Sequence, residues 1–252
     1  MSFRRVLVTG ATSGIGKAIA LKYAASGCAV VLTGRREALL EQVAEEARKL
    51  GAPRVDFVVG DVSDPRTPAL LAAHGRVDVL VNNAGLALGA SPAEKCSLED
   101  WKKMIDVNIT GLVAVTHAML PAMVDAGTGH VINLSSVAAN WPYPGGNVYG
   151  ATKSFVQQFS LGLRADLAGK GVRVCSVEPG LTETEFSVVR FSGDAEKAKS
   201  LYAGTQPLRG EDIAETVHWI TELAPKHMNV NTIELMPECQ AFGQFNIVRK
   251  AA

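Results

Sequence analysis

A short apolar run followed by a glycine-rich turn and a helical pattern constrains the fold more than any other feature of this sequence. The run Arg5–Val8 is followed by apolar residues at helical spacing after the turn, and the turn itself reads Thr9-Gly10-Ala11-Thr12-Ser13-Gly14-Ile15-Gly16. In a strand–turn–helix unit of this kind, Gly10 allows the tight turn, Gly14 lets the backbone approach a pyrophosphate, and Gly16 lets helix and strand pack closely. The free N–H groups of the helix then favour phosphate. Because the spacing is not the usual G-x-G-x-x-G, a simple tight turn is the alternative.

Two arginines follow the second apolar run, Cys28–Leu32, about twenty residues beyond the turn, where an NAD-binding unit would carry an acid for the ribose 2′-hydroxyl. Gly34 occupies that place, and Arg35 and Arg36 come next. Guanidinium groups match the charge and geometry of a 2′-phosphate. The pair therefore predicts NADP rather than NAD. The alternative is that both arginines merely lead into a solvent-facing helix over residues 37–50.

Seven short strands alternating with helical segments predict an α/β fold with one doubly wound parallel sheet. The chain of 252 residues is 47% hydrophobic, which suits a single domain over residues 1–252. The five remaining strands are predicted at Val55–Val59, Val77–Val81, Val131–Leu134, Val172–Val177 and Asn231–Leu235. Long helices are predicted from Ser97 to about Asp125, from Tyr149 to about Leu167, and from Glu211 to Leu223.

Polar residues follow the third and fourth of these strands. Asp61 and Val62 come after one and Asn83 after the other, and strand ends at one edge of a parallel sheet form the ligand crevice. These three positions are predicted to meet the adenine and ribose of a nucleotide. Asn108 lies inside the long helix that follows, and a buried asparagine there predicts a local irregularity. A solvent-facing Asn108 is the alternative.

Tyr149 and Lys153 are four residues apart, so on a helix their side chains lie on one face. A tyrosine has an unperturbed pKa of about 10, and an adjacent ammonium group favours its phenolate. Tyr149 could then exchange a proton with a substrate oxygen, and Ser136 would hydrogen-bond the same oxygen. The alternative is a chance pairing on an ordinary helix.

A long polar segment follows the sixth strand, from Glu183 to about Gln206, and we predict that it is a substrate lid. Arg190 lies within it between apolar neighbours and is the best candidate to bind a substrate carboxylate in bidentate fashion. Alternatively, Arg190 anchors the lid to an acidic residue or points to water. Tyr143 could form a wall of the substrate pocket, although apolar loop residues more often pack against the core.

Charge and cysteine content exclude several classes of function. The 25 basic and 25 acidic residues cancel, so no nucleic-acid partner is indicated. The four cysteines are widely separated and form no Cys-x-x-Cys or Cys/His cluster, so no metal site is expected. Three of the four lie in or beside apolar runs and are predicted to be buried thiols, which suits a reducing compartment. With no signal-peptide core and no apolar stretch approaching about 20 residues, we expect a cytoplasmic protein without a membrane anchor.

The ordered motifs resemble those of the short-chain dehydrogenase/reductases over essentially the whole chain. They are Thr9-Gly10-x-x-x-Gly14-Ile15-Gly16, Asn82-Asn83-Ala84-Gly85, Asn108, Ser136, Tyr149-x-x-x-Lys153 and Pro179-Gly180. The resemblance implies a Rossmann-type fold, with Tyr149 as the acid-base residue and Ser136 polarising the substrate carbonyl. It implies that Lys153 binds the nicotinamide ribose and lowers the tyrosine pKa, and that Asn108 holds a water on a proton path.

The same resemblance assigns the cofactor's remaining contacts and the assembly. Residues 10–16 would cradle the pyrophosphate, and the nicotinamide end would contact Pro179, Gly180, Leu181 and Thr182. The family usually forms tetramers or dimers, and a homotetramer is expected here. The last helix and strand and the Tyr149 helix are the natural contact faces.

A narrower resemblance is to the NADP-dependent 3-hydroxy acid dehydrogenases, which oxidise L-serine or L-allo-threonine and reduce malonic semialdehyde. Three stretches carry it, residues 84–89, 141–150 and 185–191. It implies a small 3-hydroxy acid interconverted with its carbonyl form by hydride transfer. Residues 63–76 form a shorter segment than that group usually carries, and the loop after Pro179-Gly180 is tighter. The alternatives are an enzyme that reduces sulfoacetaldehyde, an enzyme that reduces a 3-oxoacyl group, and a non-catalytic NADP-binding regulator.

Overall fold

A seven-stranded, fully parallel sheet forms the centre of the computed structural model, which describes residues 3–191 and 193–243. The strand order is β3-β2-β1-β4-β5-β6-β9, so the chain moves outward from β1 in one direction and then reverses, as a doubly wound sheet does. The strands are β1 Arg5–Thr9, β2 Ala29–Gly34, β3 Val55–Val59, β4 Val79–Asn82, β5 Gly129–Leu134, β6 Val172–Pro179 and β9 Thr232–Leu235. The predicted sheet is confirmed, with β4 beginning two residues later than the sequence pattern suggested.

Helices cover both faces of the sheet because successive strand residues point to opposite sides. Val6 and Val8 of β1 pack with one set of helices, whereas Leu7 packs with the other. The helices are α1 Gly14–Ala25, α2 Glu37–Lys49, α3 Thr67–Ala72, α4 Leu98–Ile105, α5 Leu112–Asp125, α6 Asn147–Asp166, α7 Phe186–Arg190, α8 Ala195–Ser200 and α9 Gly210–His218. The helix α1 packs chiefly against α9 on one face, while α4, α5 and α6 lie on the other.

The predicted irregularity at Asn108 is confirmed. A π-helical stretch, Asp106–Gly111, joins α4 to α5 within one continuous helix, and Asn108 lies in it, 1% exposed. Single π turns inside α-helices occur frequently at functional sites. The solvent-facing alternative for Asn108 is therefore excluded.

The segment after β6 differs from its sequence-based description. It contains the two short helices α7 and α8, and its ends pair as a separate two-stranded parallel sheet, β7 Thr182–Glu183 with β8 Leu208–Arg209. This pairing ties the two ends of the lid segment together beside the carboxyl end of β6. The lid segment, residues 183–206, is thus a closed excursion held at its base.

The prediction of three buried cysteines is wrong in part. Cys28 and Cys175 are buried, but Cys96 is partly exposed and Cys239 is exposed. Two of the four cysteines are thus buried rather than three, and the other two lie in loops, where an apolar neighbour in sequence does not ensure burial.

The continuous helix Leu98–Asp125 is long and apolar enough to cross a membrane when judged by length and composition alone. In the structure Val115, Met119 and Met123 pack into the core beneath the sheet. Its apolar character is therefore that of a core helix.

Candidate active site

A cavity of about 490 Å³ opens at the carboxyl ends of the parallel strands. Sixteen of the predicted site residues line it: Gly10, Thr12, Ser13, Gly14, Ile15, Arg35, Arg36, Asp61, Val62, Asn83, Ser136, Tyr149, Lys153, Pro179, Gly180 and Thr182. They come from the glycine-rich turn and from the ends of β2, β3, β4, β5 and β6 together with α6. The fold thus brings residues from both halves of the chain to one crevice.

The glycine-rich turn is packed too closely for larger residues at its last position. A Cβ on Gly16 would collide with the carbonyl oxygen of Gly10 and with the side-chain amide of Asn83. The same amide donates to the carbonyl oxygens of Thr9 (2.9 Å) and Gly10 (3.2 Å). Ala11 is fully buried, and its N–H donates to the carbonyl of Thr33. Ala11 and Gly16 therefore shape the turn without lining the cavity.

The two arginines after β2 are half-exposed and have different partners. Arg35 Nη1 lies 3.6 Å from Asp61 Oδ2. The residue predicted to bind the 2′-phosphate therefore lies beside one predicted to meet the adenine and ribose. Arg36 Nη2 donates to the hydroxyls of Thr12 (3.1 Å) and Ser13 (2.9 Å). A guanidinium beside two hydroxyls of the glycine-rich turn is a suitable receptor for a phosphate.

Tyr149, Lys153 and Ser136 meet at the floor of the cavity. Lys153 Nζ lies 5.8 Å from the centroid of the Tyr149 ring and donates to the carbonyl oxygen of Leu134 at 2.7 Å. Ser136 follows β5, where its hydroxyl accepts from the N–H of Ala138 and donates to the carbonyl of Pro179 at 3.3 Å. Tyr149 and Lys153 are both almost fully buried. The predicted catalytic trio is therefore assembled on the rigid β5–α6 unit.

Burial shifts both titratable groups of this floor towards neutrality. It raises the pKa of Tyr149 to about 12, with the neighbouring Ser136 hydroxyl opposing the shift. Burial likewise lowers the pKa of Lys153 to about 8. At neutral pH the protein alone therefore holds a protonated phenol beside an ammonium group that has a reduced affinity for its proton.

Asn108 lies behind this floor and does not line the cavity. Its Oδ1 accepts from the N–H of Leu86 at 2.9 Å, and its Nδ2 donates to the carbonyl of Leu86 (2.9 Å) and to Thr152 Oγ1 (3.0 Å). A Cβ on Gly85 would lie 3.3 Å from Asn108 Oδ1 and 3.4 Å from Lys153 Nζ. Asn108 thus fastens the loop after β4 to α6 right beside the lysine. Its predicted water-holding role stays a prediction.

Arg190 reaches the edge of the site from the lid segment. Its Cζ lies 5.3 Å from the Tyr143 ring centroid and 6.0 Å from that of Tyr149, and its Nε donates to the carbonyl of Gly89 at 3.3 Å. Within the described ranges no acidic side chain pairs with Arg190, and its side chain is partly exposed and is not part of the cavity lining. The guanidinium lies between the rings of Tyr149 and Tyr143, and its predicted contact with a substrate carboxylate stays a prediction.

The loop before α6 is fixed against the loop after β4. Gly145 has φ +78°, which only glycine adopts readily, and a Cβ there would lie 2.5 Å from the carbonyl oxygen of Ala90. A Cβ on Gly146 would in turn lie 2.7 Å from Cζ of Tyr143. The Tyr143 ring is therefore packed against its own loop, but it does not line the cavity, so its role as a pocket wall stays a prediction.

The segment after β6 is held from behind. The N–H of Leu181 donates to Gln240 Oε1 at 2.7 Å, and Leu181 does not line the cavity, unlike Pro179, Gly180 and Thr182 around it. The N–H of Leu181 already has a partner, and the predicted nicotinamide contact at Leu181 stays a prediction.

Sequence reasoning missed several residues that line the cavity. From the lid segment these are Thr184, Glu185, Phe186 and Val189, with the Phe186 ring centroid 5.7 Å from that of Tyr149. Elsewhere they are Gly34, Gly60, Ala84, Gly85, Leu86, Val107, Leu134 and Ser135. Many of these residues are direct neighbours of predicted site residues, so their position after a predicted strand could have indicated them. The lining residues of the lid segment do not follow a predicted strand in this way.

Comparison with known proteins identifies the family. The family model for short chain dehydrogenases matches residues 4–194. The chain belongs to this family. It is 49% identical over 247 residues to the serine 3-dehydrogenase of Agrobacterium fabrum, with 98% of each chain covered. It is 50% identical over 250 residues to sulfoacetaldehyde reductase 2 of Chromohalobacter salexigens, covering 97% of this chain and 98% of that relative.

A solved short-chain dehydrogenase matches the whole fold. It is the closed form of serine dehydrogenase complexed with NADP+, with a TM-score of 0.93 and 47% identity over 98% of this chain and 100% of that one. The predicted Rossmann-type fold and oxidoreductase family are confirmed.

Proposed function

We propose that this short-chain dehydrogenase is an NADP-dependent oxidoreductase that interconverts a small 3-hydroxy acid with its carbonyl form. Substrates of the L-serine, L-allo-threonine and 3-hydroxypropionate type are expected. The observation that carries the proposal is the position of the Arg190 guanidinium, 6.0 Å from the centroid of the Tyr149 ring. A cation at that distance from the acid-base residue suits a substrate whose carboxylate lies two carbons from the carbinol.

The residues around the crevice fit NADP. Gly10 and Gly14 of the turn line the crevice at the N-terminus of α1, where a pyrophosphate can bind, and Thr12, Ser13 and Arg36 form a cluster of donors suited to a 2′-phosphate. Arg35 lies opposite Asp61 at the adenosine end. Pro179, Gly180 and Thr182 are proposed to hold the nicotinamide end. When bound, NADP(H) accepts or supplies the hydride.

Tyr149 is proposed to hold or release the proton of the substrate oxygen. In carbonyl reduction its neutral phenol is the general acid, and the raised pKa keeps that proton in place at neutral pH. In alcohol oxidation the phenol must first be deprotonated, which the ammonium of Lys153 favours. Ser136 donates its hydroxyl hydrogen to the substrate oxygen in place of the carbonyl of Pro179. The side chain of Asn108 keeps the β4 loop against α6, and we assign it the water that links Lys153 to solvent.

The lid segment is proposed to close the substrate side of the crevice. It supplies Arg190 for the carboxylate and Phe186 and Val189 as apolar cover, while Tyr143 forms the opposite wall. A small pocket of this kind excludes water from the hydride-transfer site and leaves little room for a carrier-bound acyl chain.

Reduction of sulfoacetaldehyde is the second candidate. The 50% identity to a sulfoacetaldehyde reductase favours it, and a sulfonate can use the same arginine as a carboxylate. Both candidates share the acid-base residues and differ only in the anion that Arg190 binds.

We also propose that the enzyme is a cytoplasmic homotetramer. Large apolar side chains are exposed on α4 (Leu98, Ile105) and on α6 (Phe155, Leu161), and Trp219 and Leu223 are exposed after α9. Exposed apolar residues grouped on helices are typical of contact faces between subunits. Light scattering of the purified protein tests the assembly.

A substrate screen tests the proposed activity. NADPH oxidation is measured with malonic semialdehyde, sulfoacetaldehyde and a 3-oxoacyl thioester, and NADP+ reduction with L-serine and L-allo-threonine. Turnover of malonic semialdehyde and L-serine supports the main proposal, and sulfoacetaldehyde alone supports the second candidate. Turnover of the thioester alone contradicts both. NADPH binding without turnover of any of the five compounds identifies a non-catalytic NADP-binding regulator.

A further inference from the structure

Arg36 has a third partner that the proposed function does not use. Its Nη2 lies 2.9 Å from Glu185 Oε2, a carboxylate of the lid segment that is 149 residues away in sequence. Glu185 immediately precedes α7, the helix that carries Phe186, Val189 and Arg190. One guanidinium therefore touches both the glycine-rich turn and the base of the substrate-covering helix.

The contact is supported by its surroundings. The hydrogen bond from Arg36 lowers the pKa of Glu185, so the carboxylate is ionised at neutral pH. A Cβ on Gly14 would lie 3.1 Å from Cβ of Thr184, so the lid segment already lies against the phosphate-binding turn at this point. Every hydrogen bond of Arg36 to the described residues uses Nη2. The Nε and Nη1 groups of Arg36 have no hydrogen-bond partner in the described ranges and can each donate singly to a phosphate.

An exposed ion pair of two long side chains is weak because ordering both costs conformational entropy. The side chains of Arg36 and Glu185 are 48% and 54% exposed, so this pair belongs to that class. A ligand that orders Arg36 removes part of the entropy cost for Glu185. Because such coupling is reciprocal, closure of α7 would also strengthen binding of that ligand.

We propose that Glu185 is a positioning residue that couples recognition of the cofactor's 2′-phosphate at Arg36 to closure of α7 over the substrate. The inference rests on the proposed function, since it takes Arg36 as the 2′-phosphate receptor. It makes the 2′-phosphate a determinant of substrate binding as well as of cofactor choice. NADP and NAD then differ in how well they hold Arg190 and Phe186 over the site.

The test uses adenosine 2′,5′-bisphosphate and adenosine 5′-monophosphate as probes, because they differ in the 2′-phosphate and both lack nicotinamide. Hydrogen exchange of peptides spanning residues 183–191 is measured in the full-length protein at saturating probe. The bisphosphate is expected to slow exchange about two- to fivefold, the range given by an exposed ion pair, and the monophosphate to leave it unchanged. Calorimetry measures the affinity of each probe in parallel.

Two variants complete the design. Glu185→Gln should still bind the bisphosphate, at most about fivefold more weakly, but lose the slowed exchange. Glu183→Gln is the matched control, because it removes the same charge from an exposed position two residues away whose carboxylate has no ion-pair partner in the described ranges. It should behave as the unmodified protein. If Glu185 had only a structural role, Glu185→Gln would change hydrogen exchange in residues 183–191 equally with both probes.

The outcomes separate the two proposals. If the unmodified protein binds both probes equally, the 2′-phosphate assignment of Arg36 fails and the proposed cofactor with it. If the bisphosphate binds more tightly but exchange in residues 183–191 does not change, or Glu185→Gln keeps the slowed exchange, the coupling is wrong while the cofactor stands. Tighter bisphosphate binding by Glu185→Gln would show that Glu185 competes with the phosphate, which also overturns the inference.

Discussion

The floor and the cover of the crevice are built in different ways. The floor consists of Ser136, just after β5, and of Tyr149 and Lys153 on α6, which are buried and held by backbone contacts such as that of Lys153 with the Leu134 carbonyl. The cover consists of the lid segment, whose side chains are largely half-exposed and which reaches the rest of the protein through a few contacts between distant residues, such as the two hydrogen bonds between Arg190 and Gly89. The difference indicates that the proposed acid-base residues lie in the buried core of the fold, whereas the proposed substrate contacts depend on a few long-range contacts.

Removing the phenolic oxygen of the floor should have the largest effect. Tyr149→Phe loses proton transfer, which is worth about 10²–10⁴-fold, so we expect kcat with L-serine to fall about 10³-fold. Binding of NADPH, measured by fluorescence titration, should be unchanged because the ring remains. Undiminished turnover would refute the acid-base assignment.

A substitution directly behind the floor should also cost stability where a cover substitution does not. Asn108→Ala leaves the buried N–H and carbonyl of Leu86 unpaired, which we expect to cost about 3 kcal/mol of unfolding free energy. For a domain of this size that is a fall in Tm of about 6–12 °C. Val189→Ala, at a position 44% exposed on α7, should lower Tm by less than about 2 °C. Calorimetry of both variants checks the contrast, and equal losses would contradict it.

Substitution of the cover's cation should act on substrate affinity. Arg190→Ala removes charge-assisted hydrogen bonds, so KM for a 3-hydroxy acid should rise about 10- to 100-fold, with a smaller change in kcat. Lys197→Ala is the control, since it removes a cation of the same segment whose Nζ lies 4.9 Å from the Phe191 ring centroid rather than beside Tyr143 and Tyr149. An unchanged KM in Arg190→Ala would exclude the carboxylate anchor.

The pH dependence of kcat/KM should come from the ionisation of Tyr149 in the floor. Because the pKa of Tyr149 is raised to about 12 and the neutral phenol dominates at pH 7, oxidation must first remove a proton that reduction needs. Oxidation kcat/KM should therefore rise about tenfold per pH unit between pH 6 and 8, while reduction stays flat. Initial rates in both directions test this. If kcat/KM for oxidation does not change between pH 6 and 8 while kcat/KM for reduction falls, the phenol of Tyr149 is already ionised at pH 6.

The floor could be predicted from the sequence because local patterns determine it. The glycine spacing, the four-residue step from Tyr149 to Lys153 and the strand ends each indicate where a residue lies, and even the irregular turn at Asn108 follows from its poor helix propensity. The fold could likewise be predicted from the alternating strands and helices.

The cover could not be predicted in the same way. The pairing of β7 with β8 involves two residues on each side, too few to give a periodic signal. The contacts of Arg190 with Gly89 and of Glu185 with Arg36 join residues more than 100 positions apart. Such contacts depend on how the assembled sheet orients its loops, which no local pattern encodes.

The close approach of Gly145 to Ala90 has a consequence for changing the substrate range. Because a side chain on Gly145 would displace the backbone of Ala90, and one on Gly146 would displace the Tyr143 ring itself, the loop that carries Tyr143 cannot be altered in small steps. New room is better sought at Phe186 and Val189 of α7, which line the cavity. Libraries that seek activity on bulkier hydroxy acids should therefore diversify α7 and leave residues 143–146 untouched.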